Sequence, residues 1–122
     1  AAAKQLIEDA KACEAAGAFM IVLECIPFQL AKEVAQAVSI PIIGIGAGAD
    51  TDGQVLVFHD MVRYGNHKLP KFVESYADVG KDIEGAIKLY NMAVKEGSFP
   101  SESHRFTMKE EELDALYGGK KL

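Results

Sequence analysis

The residue of this chain with the clearest chemical potential is Glu24, a single carboxylate at the end of the apolar run Phe19-Met20-Ile21-Val22-Leu23. A strand of that composition is expected to be buried on both faces, where an unpaired acid resists ionising. Raised proton affinity is what a general base needs near neutral pH, and acids at the C-terminal ends of parallel strands are recurrent catalytic groups. The bland alternative is that the strand stops at Leu23 and Glu24 is solvated in the next loop.

The second feature is the loop Gly44-Ile45-Gly46-Ala47-Gly48-Ala49-Asp50-Thr51-Asp52-Gly53. Gly44-x-Gly46-x-x-Ala49 formally matches a dinucleotide fingerprint. Such a fingerprint, however, opens a helix within the loop and is followed about 20 residues on by an acid at a second strand end. Here the loop runs into Asp50-Thr51-Asp52-Gly53 instead. Gly44, Gly46 and Gly48 therefore read as a site-lining loop that leaves the same sheet edge as Glu24. Close backbone packing and an anion nest of free N–H groups are the other readings. Asp50 and Asp52 offer oxygen ligands of the kind a hard cation takes, yet Asp-Thr-Asp-Gly reads first as a turn whose aspartates bond their own backbone. His59-Asp60 is placed at a third strand end, with a structural role for the histidine the commoner case. His67 and His104 fall in loops without an evident partner. Tyr64, Tyr76, Phe99 and Phe106 read as packing residues.

The elements that must hold these groups are read from periodicity. Ala2 to Ala16 is a helix, with Leu6, Ile7, Ala10 and Cys13 on one face and Lys4, Glu8 and Lys11 on the other. Gly17 stands where a C-terminal cap belongs. Phe19 to Glu24 is a strand. Pro27 opens a second helix whose Leu30, Val34, Ala37 and Val38 face inward, and Ser39-Ile40-Pro41 leads into the strand Ile42 to Ile45. Gln54 to Phe58 is a third short strand or a helical turn, which periodicity does not separate. A helix is expected from Pro70 to about Tyr76, and a longer one from Asp82 to Glu96 that buries Ile83, Ala86, Ile87, Tyr90 and Val94. Glu110 to Leu116 is a last short helix, its first-turn acids suited to the helix dipole. Alternating helices and apolar strands mean parallel strands with right-handed crossovers, an α/β architecture. Two or three such strands leave long unpaired edges and cannot be shielded on both faces by these helices. The chain reads as part of a larger sheet or barrel.

Bulk properties narrow the class. At 122 residues, 49% hydrophobic, the chain suits one domain, and a net charge of −5 with no basic cluster argues against nucleic acid or an anionic membrane surface. The longest apolar stretch, Ala15 to Leu23, is too short for a bilayer span. Nothing resembles a signal peptide. Cys13 and Cys25 form neither a disulfide framework nor a zinc spacing, which suits a reducing cytoplasm. The missing initiator Met fits either its removal or cleavage from something longer.

Four stretches together go beyond a generic pattern: Gly17-Ala18-Phe19-Met20-Ile21-Val22-Leu23-Glu24-Cys25-Ile26-Pro27; Ile40-Pro41-Ile42-Ile43-Gly44-Ile45-Gly46-Ala47-Gly48; Asp52-Gly53-Gln54-Val55-Leu56-Val57-Phe58-His59-Asp60-Met61; and Pro70-Lys71-Phe72-Val73. In this order and spacing they closely resemble the ketopantoate hydroxymethyltransferase family, also called 3-methyl-2-oxobutanoate hydroxymethyltransferase. Phe99-Pro100-Ser101-Glu102-Ser103-His104-Arg105-Phe106 resembles the family's ending. The resemblance implies a (β/α)8 TIM barrel of the phosphoenolpyruvate/pyruvate type. Barrels of that kind need roughly 250 residues, so this chain is expected to be the C-terminal half, residues 1–106, with a polar tail at 107–122. It further implies hydroxymethyl transfer from 5,10-methylenetetrahydrofolate to the keto acid 3-methyl-2-oxobutanoate through a Mg2+-stabilised enolate, in pantothenate and coenzyme A biosynthesis.

The family's general base maps onto Glu24. A weak carbon acid needs a base held close and a metal to take up the developing charge. The family's magnesium-binding aspartates, and its groups gripping the substrate carboxylate, belong to the N-terminal half. No metal ligand is therefore assigned in this chain, and Asp50 and Asp52 are not promoted. Expected partners are the small keto acid, the N-terminal half of the barrel (a separate polypeptide being one form it could take) and further copies in a homo-oligomer, with neither nucleic acid nor membrane. Alone the chain is expected to be inactive. The rival readings are a carbon–carbon lyase of the same superfamily, marked by folate-independent retro-aldol turnover, and a non-catalytic half-barrel assembly module.

Overall fold

Leu6, Ile7 and Ala10 recur at helical spacing and build α1 (Ala2–Ala15), the first element of a computed structural model that describes residues 1–118. Positions 119–122 of the polar tail lie outside the described residues. The chain then alternates: β1 (Ile21–Glu24), α2 (Phe28–Ala37), β2 (Ile42–Ile45) and β3 (Gly53–Gln54). The three strands form one sheet in the order β1-β2-β3, all parallel, with Ile21 opposite Ile42 and Glu24 opposite Ile45. The expected α/β architecture with parallel strands is what forms. The chain divides into two compact units, Ala1–Gly80 and Lys81–Leu122.

In the first unit, α1 and α2 cover one face of the sheet. Residues alternate between faces along a strand, so Leu23 and Ile42 point to the helices and join Ala10, Ala31, Val34 and Ala47 in the core. Val22 and Glu24 point the other way. Leu23 is 5% exposed whereas Val22 is 58% exposed. The expectation of a strand buried on both faces is therefore corrected: β1 is buried on its helix side only, and Phe19 and Met20 before it are exposed.

Two other expectations change. Of Gln54 to Phe58, read as a short strand or a helical turn, only Gln54 lies in a strand, and Phe58 opens a helical turn. The ladder ends at Gln54, Val55 makes one last N–H bond to the Gly44 carbonyl (3.0 Å), and Phe58–Met61 is the helical turn α3. The reason lies in β2, which turns away at Gly46 (φ +64°) and leaves no backbone for Leu56 and Val57 to pair with. Pro70 to Tyr76 is a turn rather than a helix. Val73 N–H reaches the Pro70 carbonyl (3.1 Å), but the Tyr76 N–H is drawn off to the Met61 carbonyl (2.7 Å), outside any helical ladder.

In the second unit, α4 (Val79–Glu96, starting in the first) carries Ile83, Ala86, Ile87, Tyr90 and Val94 at the expected spacing. None of its residues is buried, and Ile87 is 61% exposed. The 3₁₀ turn (Glu102–His104) and α5 (Glu110–Tyr117) come after it in the chain and do not bury that stripe. The Phe99 ring meets Tyr90 edge-on at 5.7 Å. Phe106, read as a packing residue, is exposed.

Candidate active site

Glu24 stands at the carboxyl end of β1 on the face that the helices leave bare. Directly after it the backbone turns sharply. The Cys25 N–H donates to the Ile45 carbonyl (2.9 Å), and Cys25 itself takes a left-handed conformation at φ +52°. For a residue with a β-carbon this costs about 1–2 kcal/mol, and backbone strain of this kind gathers at functional sites. Ile26 and Pro27 then lead into α2, with Pro27 as its N-cap residue. Glu24 is exposed, so the enclosure assumed for it from sequence is not supplied by the described residues.

The loop after β2 folds close by. Gly46 and Gly48 have φ of +64° and +80°, conformations that favour glycine. Each is also pressed by an aromatic residue: a β-carbon at Gly46 would lie 2.9 Å from the Phe72 ring, and one at Gly48 would lie 2.4 Å from Phe28 Cβ. Close packing thus accounts for both glycines. Gly44 lies within β2, against the Thr51 side chain. An open hollow of about 980 Å3 borders Cys25, Phe28, Gly46, Gly48, Gln54 and Lys71, among others. Glu24 is not among the residues lining it, whereas its neighbour Cys25 is. The Gln54 amide closes the loop by donating to the Gly48 carbonyl (2.7 Å) and to Thr51 Oγ1 (3.1 Å).

The aspartates divide from Glu24 by position. Asp52 accepts from the Ile42 N–H (2.7 Å) and donates its own N–H to the Ile42 carbonyl (2.9 Å), so it fastens the beginning of β2, the end opposite Glu24. Asp50 is exposed in the preceding loop. His59 is part of α3, with Phe58 and Tyr64 edge-on at 5.9 and 4.9 Å, a packing role. His67, read as lacking a partner, pairs through Nε2 with Asp60 Oδ1 at 2.6 Å. His104 likewise has one: its Nδ1 lies 2.9 Å from Ser101 Oγ in the 3₁₀ turn. Neither pairing has a signature in residue spacing. Phe28, Phe72 and the strained Cys25 were missed as site-forming residues. The one available signal was that Cys25 and Phe72 fall within the stretches that carry the family resemblance.

A parallel sheet covered by helices on one side, with a carboxylate at a strand's carboxyl end on the other, defines an α/β protein whose candidate site lies at the C-terminal strand edge. A family model described as ketopantoate hydroxymethyltransferase matches residues 1–102, and the chain belongs to this family. It is 57% identical over 119 residues to a protein from an Exiguobacterium species named 3-methyl-2-oxobutanoate hydroxymethyltransferase, covering 98% of this chain and 43% of that protein. Proteins of the same name from Bacillus cereus and Lysinibacillus sphaericus are 58% and 57% identical, over 97% and 96% of this chain and 42% of each relative. The chain thus spans less than half the length of these relatives. Among the described residues no helix is long and apolar enough to cross a membrane.

Proposed function

We propose that this chain is the C-terminal half of a (β/α)8 barrel of the phosphoenolpyruvate/pyruvate type that converts 3-methyl-2-oxobutanoate to 2-dehydropantoate, with Glu24 as general base. The observation that carries this reading is the placement of Glu24, in a chain of this family, at the carboxyl end of a parallel strand on the bare face of the sheet. In a closed barrel the bare face is the interior and the helix-covered face is the outside. Val22 and Glu24 would then point into the lumen, and closure by the remaining strands would give Glu24 the enclosure it lacks here.

In this mechanism the Glu24 carboxylate takes the proton from the carbon beside the keto group, and the C–H electron pair moves into the enolate. The enolate carbon bonds to the one-carbon unit of 5,10-methylenetetrahydrofolate, and water supplies the hydroxyl as tetrahydrofolate leaves. The strained turn at Cys25, held by the Ile45 carbonyl, fixes where the carboxylate stands. The described residues do not fit the magnesium ion implied by the resemblance. No group of three or more His, Cys, Asp or Glu side chains among them is arranged to hold a metal, and Asp52 is engaged by backbone. No step is therefore routed through that ion, and its ligands are assigned to the N-terminal strands. The same reading gives the cytoplasm as the setting and a homo-oligomer as the assembly.

The test is Glu24→Gln in the complete barrel, this chain together with the strands that close it. Solvent-deuterium exchange at the carbon beside the keto group, followed by proton NMR, is expected to fall by about 10²–10⁴-fold, the usual contribution of a positioned base. Keto acid binding is expected to persist. Unchanged exchange would sink the assignment and favour a non-catalytic half-barrel, whereas retro-aldol turnover without folate would favour a lyase.

A further inference from the structure

Phe72 lies 48 residues beyond Glu24 in the chain, yet a short path of contacts joins them. The Phe72 ring presses on Gly46 so closely that a β-carbon there would sit 2.9 Å from Cδ1 and Cγ. Gly46 directly follows Ile45, whose carbonyl accepts from the Cys25 N–H (2.9 Å) and which stands opposite Glu24 in the sheet. Cys25 is the residue held at φ +52°, and it sets the direction in which the chain leaves Glu24. Backbone at these three residues therefore has little freedom while the ring is in place.

Phe72 is itself presented from a loop with fixed ends. Tyr76, Val79 and Gly80 donate their N–H groups to the carbonyls of Met61, Val62 and Arg63 at 2.7, 3.0 and 2.8 Å. Within the loop, His67 pairs with Asp60 and Val73 N–H closes a turn onto Pro70. The loop thus delivers one ring to one glycine. Phe28 packs on Gly48, so the loop after β2 is gripped at two points.

We propose that Phe72 is a positioning residue for Glu24: through Gly46, the Ile45 carbonyl and Cys25 it holds the carboxylate where it reaches the acidic carbon. This rests on the reading of Glu24 as base. It does not require Phe72 to touch substrate.

Deuterium exchange into 3-methyl-2-oxobutanoate by the complete barrel tests it, with the folded fraction checked by circular dichroism. Phe72→Ala is expected to lower kcat for exchange by about tenfold to a hundredfold, the scale on which misplacement by about 1 Å acts. KM for the keto acid is expected to change by less than about threefold, since transition-state geometry is lost and not ground-state binding. Phe72→Leu, which keeps bulk over Gly46, restores most of the rate. In the Glu24→Gln background, Phe72→Ala brings no further loss of residual exchange, because a residue acting through Glu24 has nothing left to act on. An unchanged kcat in Phe72→Ala, or losses that multiply in the double variant, overturns the positioning role. Retained exchange in Glu24→Gln alone overturns the base assignment instead, so the two failures are distinguishable. Should Phe72→Ala not fold, Phe72→Val carries the same comparison, with an expected loss of about tenfold and an unchanged kcat overturning the proposal.

Discussion

The two faces of the β1-β2-β3 sheet are built from the same short strands and could hardly be more different. On the helix side Leu23 and Ile42 are buried against Ala31 and Val34, and the core is closed from within the chain. On the other side Val22 and Glu24 stand exposed on β1, while Ile45, the partner of Glu24, is only 8% exposed. The difference teaches that apolar character alone does not say what covers a residue. Val22 is as apolar as its neighbours and simply lacks a layer. Under the proposed barrel, that missing layer is the filled lumen.

Substitutions that remove apolar bulk from each face put the contrast at risk. In the complete barrel, Ile42→Ala is expected to cost about 2–5 kcal/mol, the usual range for emptying a core site, read by urea unfolding. Val22→Ala on the bare face is expected to cost about 1.6 kcal/mol, two CH2 equivalents at about 0.8 kcal/mol each, because the lumen buries it there. A Val22→Ala variant as stable as its parent would mean that this face looks onto solvent, and the barrel reading would fall with it.

Asp52→Ala sharpens the comparison along the strands rather than across them. It removes the acceptor for the Ile42 N–H at the end of the sheet away from Glu24. A loss of about 1 kcal/mol in stability is expected, with exchange per folded molecule unchanged. A collapse of exchange at full stability would move Asp52 into the chemistry.

The smallest effect belongs to Glu14, far from the candidate site. The Ser39 hydroxyl and then the Ser39 N–H hydrogen-bond its carboxylate and hold its pKa below the ordinary 4.5. A depressed folded value means a stabilisation that is present above pH 4.5 and lost as pH falls through the lower folded value. Glu14→Gln is therefore expected to lower the urea midpoint slightly at neutral pH and to match its parent in stronger acid. A gap that persists or widens in acid would remove the carboxylate's hydrogen bonds as its source.

Much of the layout was legible in the chain because it is local. The α1 face, the opening of α2 after Pro27 and the four-residue β2 are all set by periodicity and backbone chemistry within a few residues, whereas the Asp-Thr-Asp-Gly stretch, read as a self-bonded turn, has Asp52 bonding Ile42 ten residues away and Gly53 in β3. What escaped was every feature decided by a distant partner. Val55 to Val57 has strand composition, but β2 turns at Gly46 and offers nothing beyond the one bond from the Val55 N–H to the Gly44 carbonyl. Pro70 to Tyr76 has helical promise, but the Met61 carbonyl takes the Tyr76 N–H. The α4 stripe has the right spacing and still lies unburied.

By itself the sequence determined the alternation of helix and strand, the parallel α/β class, the family likeness and the choice of Glu24, because each is written in residue type and short-range spacing. Tertiary structure alone decided which face of β1 is covered, that His67 meets Asp60, and that Phe72 and Phe28 close on Gly46 and Gly48. The physical reason is range. Periodicity and capping act over a turn or a strand, whereas burial and contact depend on segments that come together only when the chain folds.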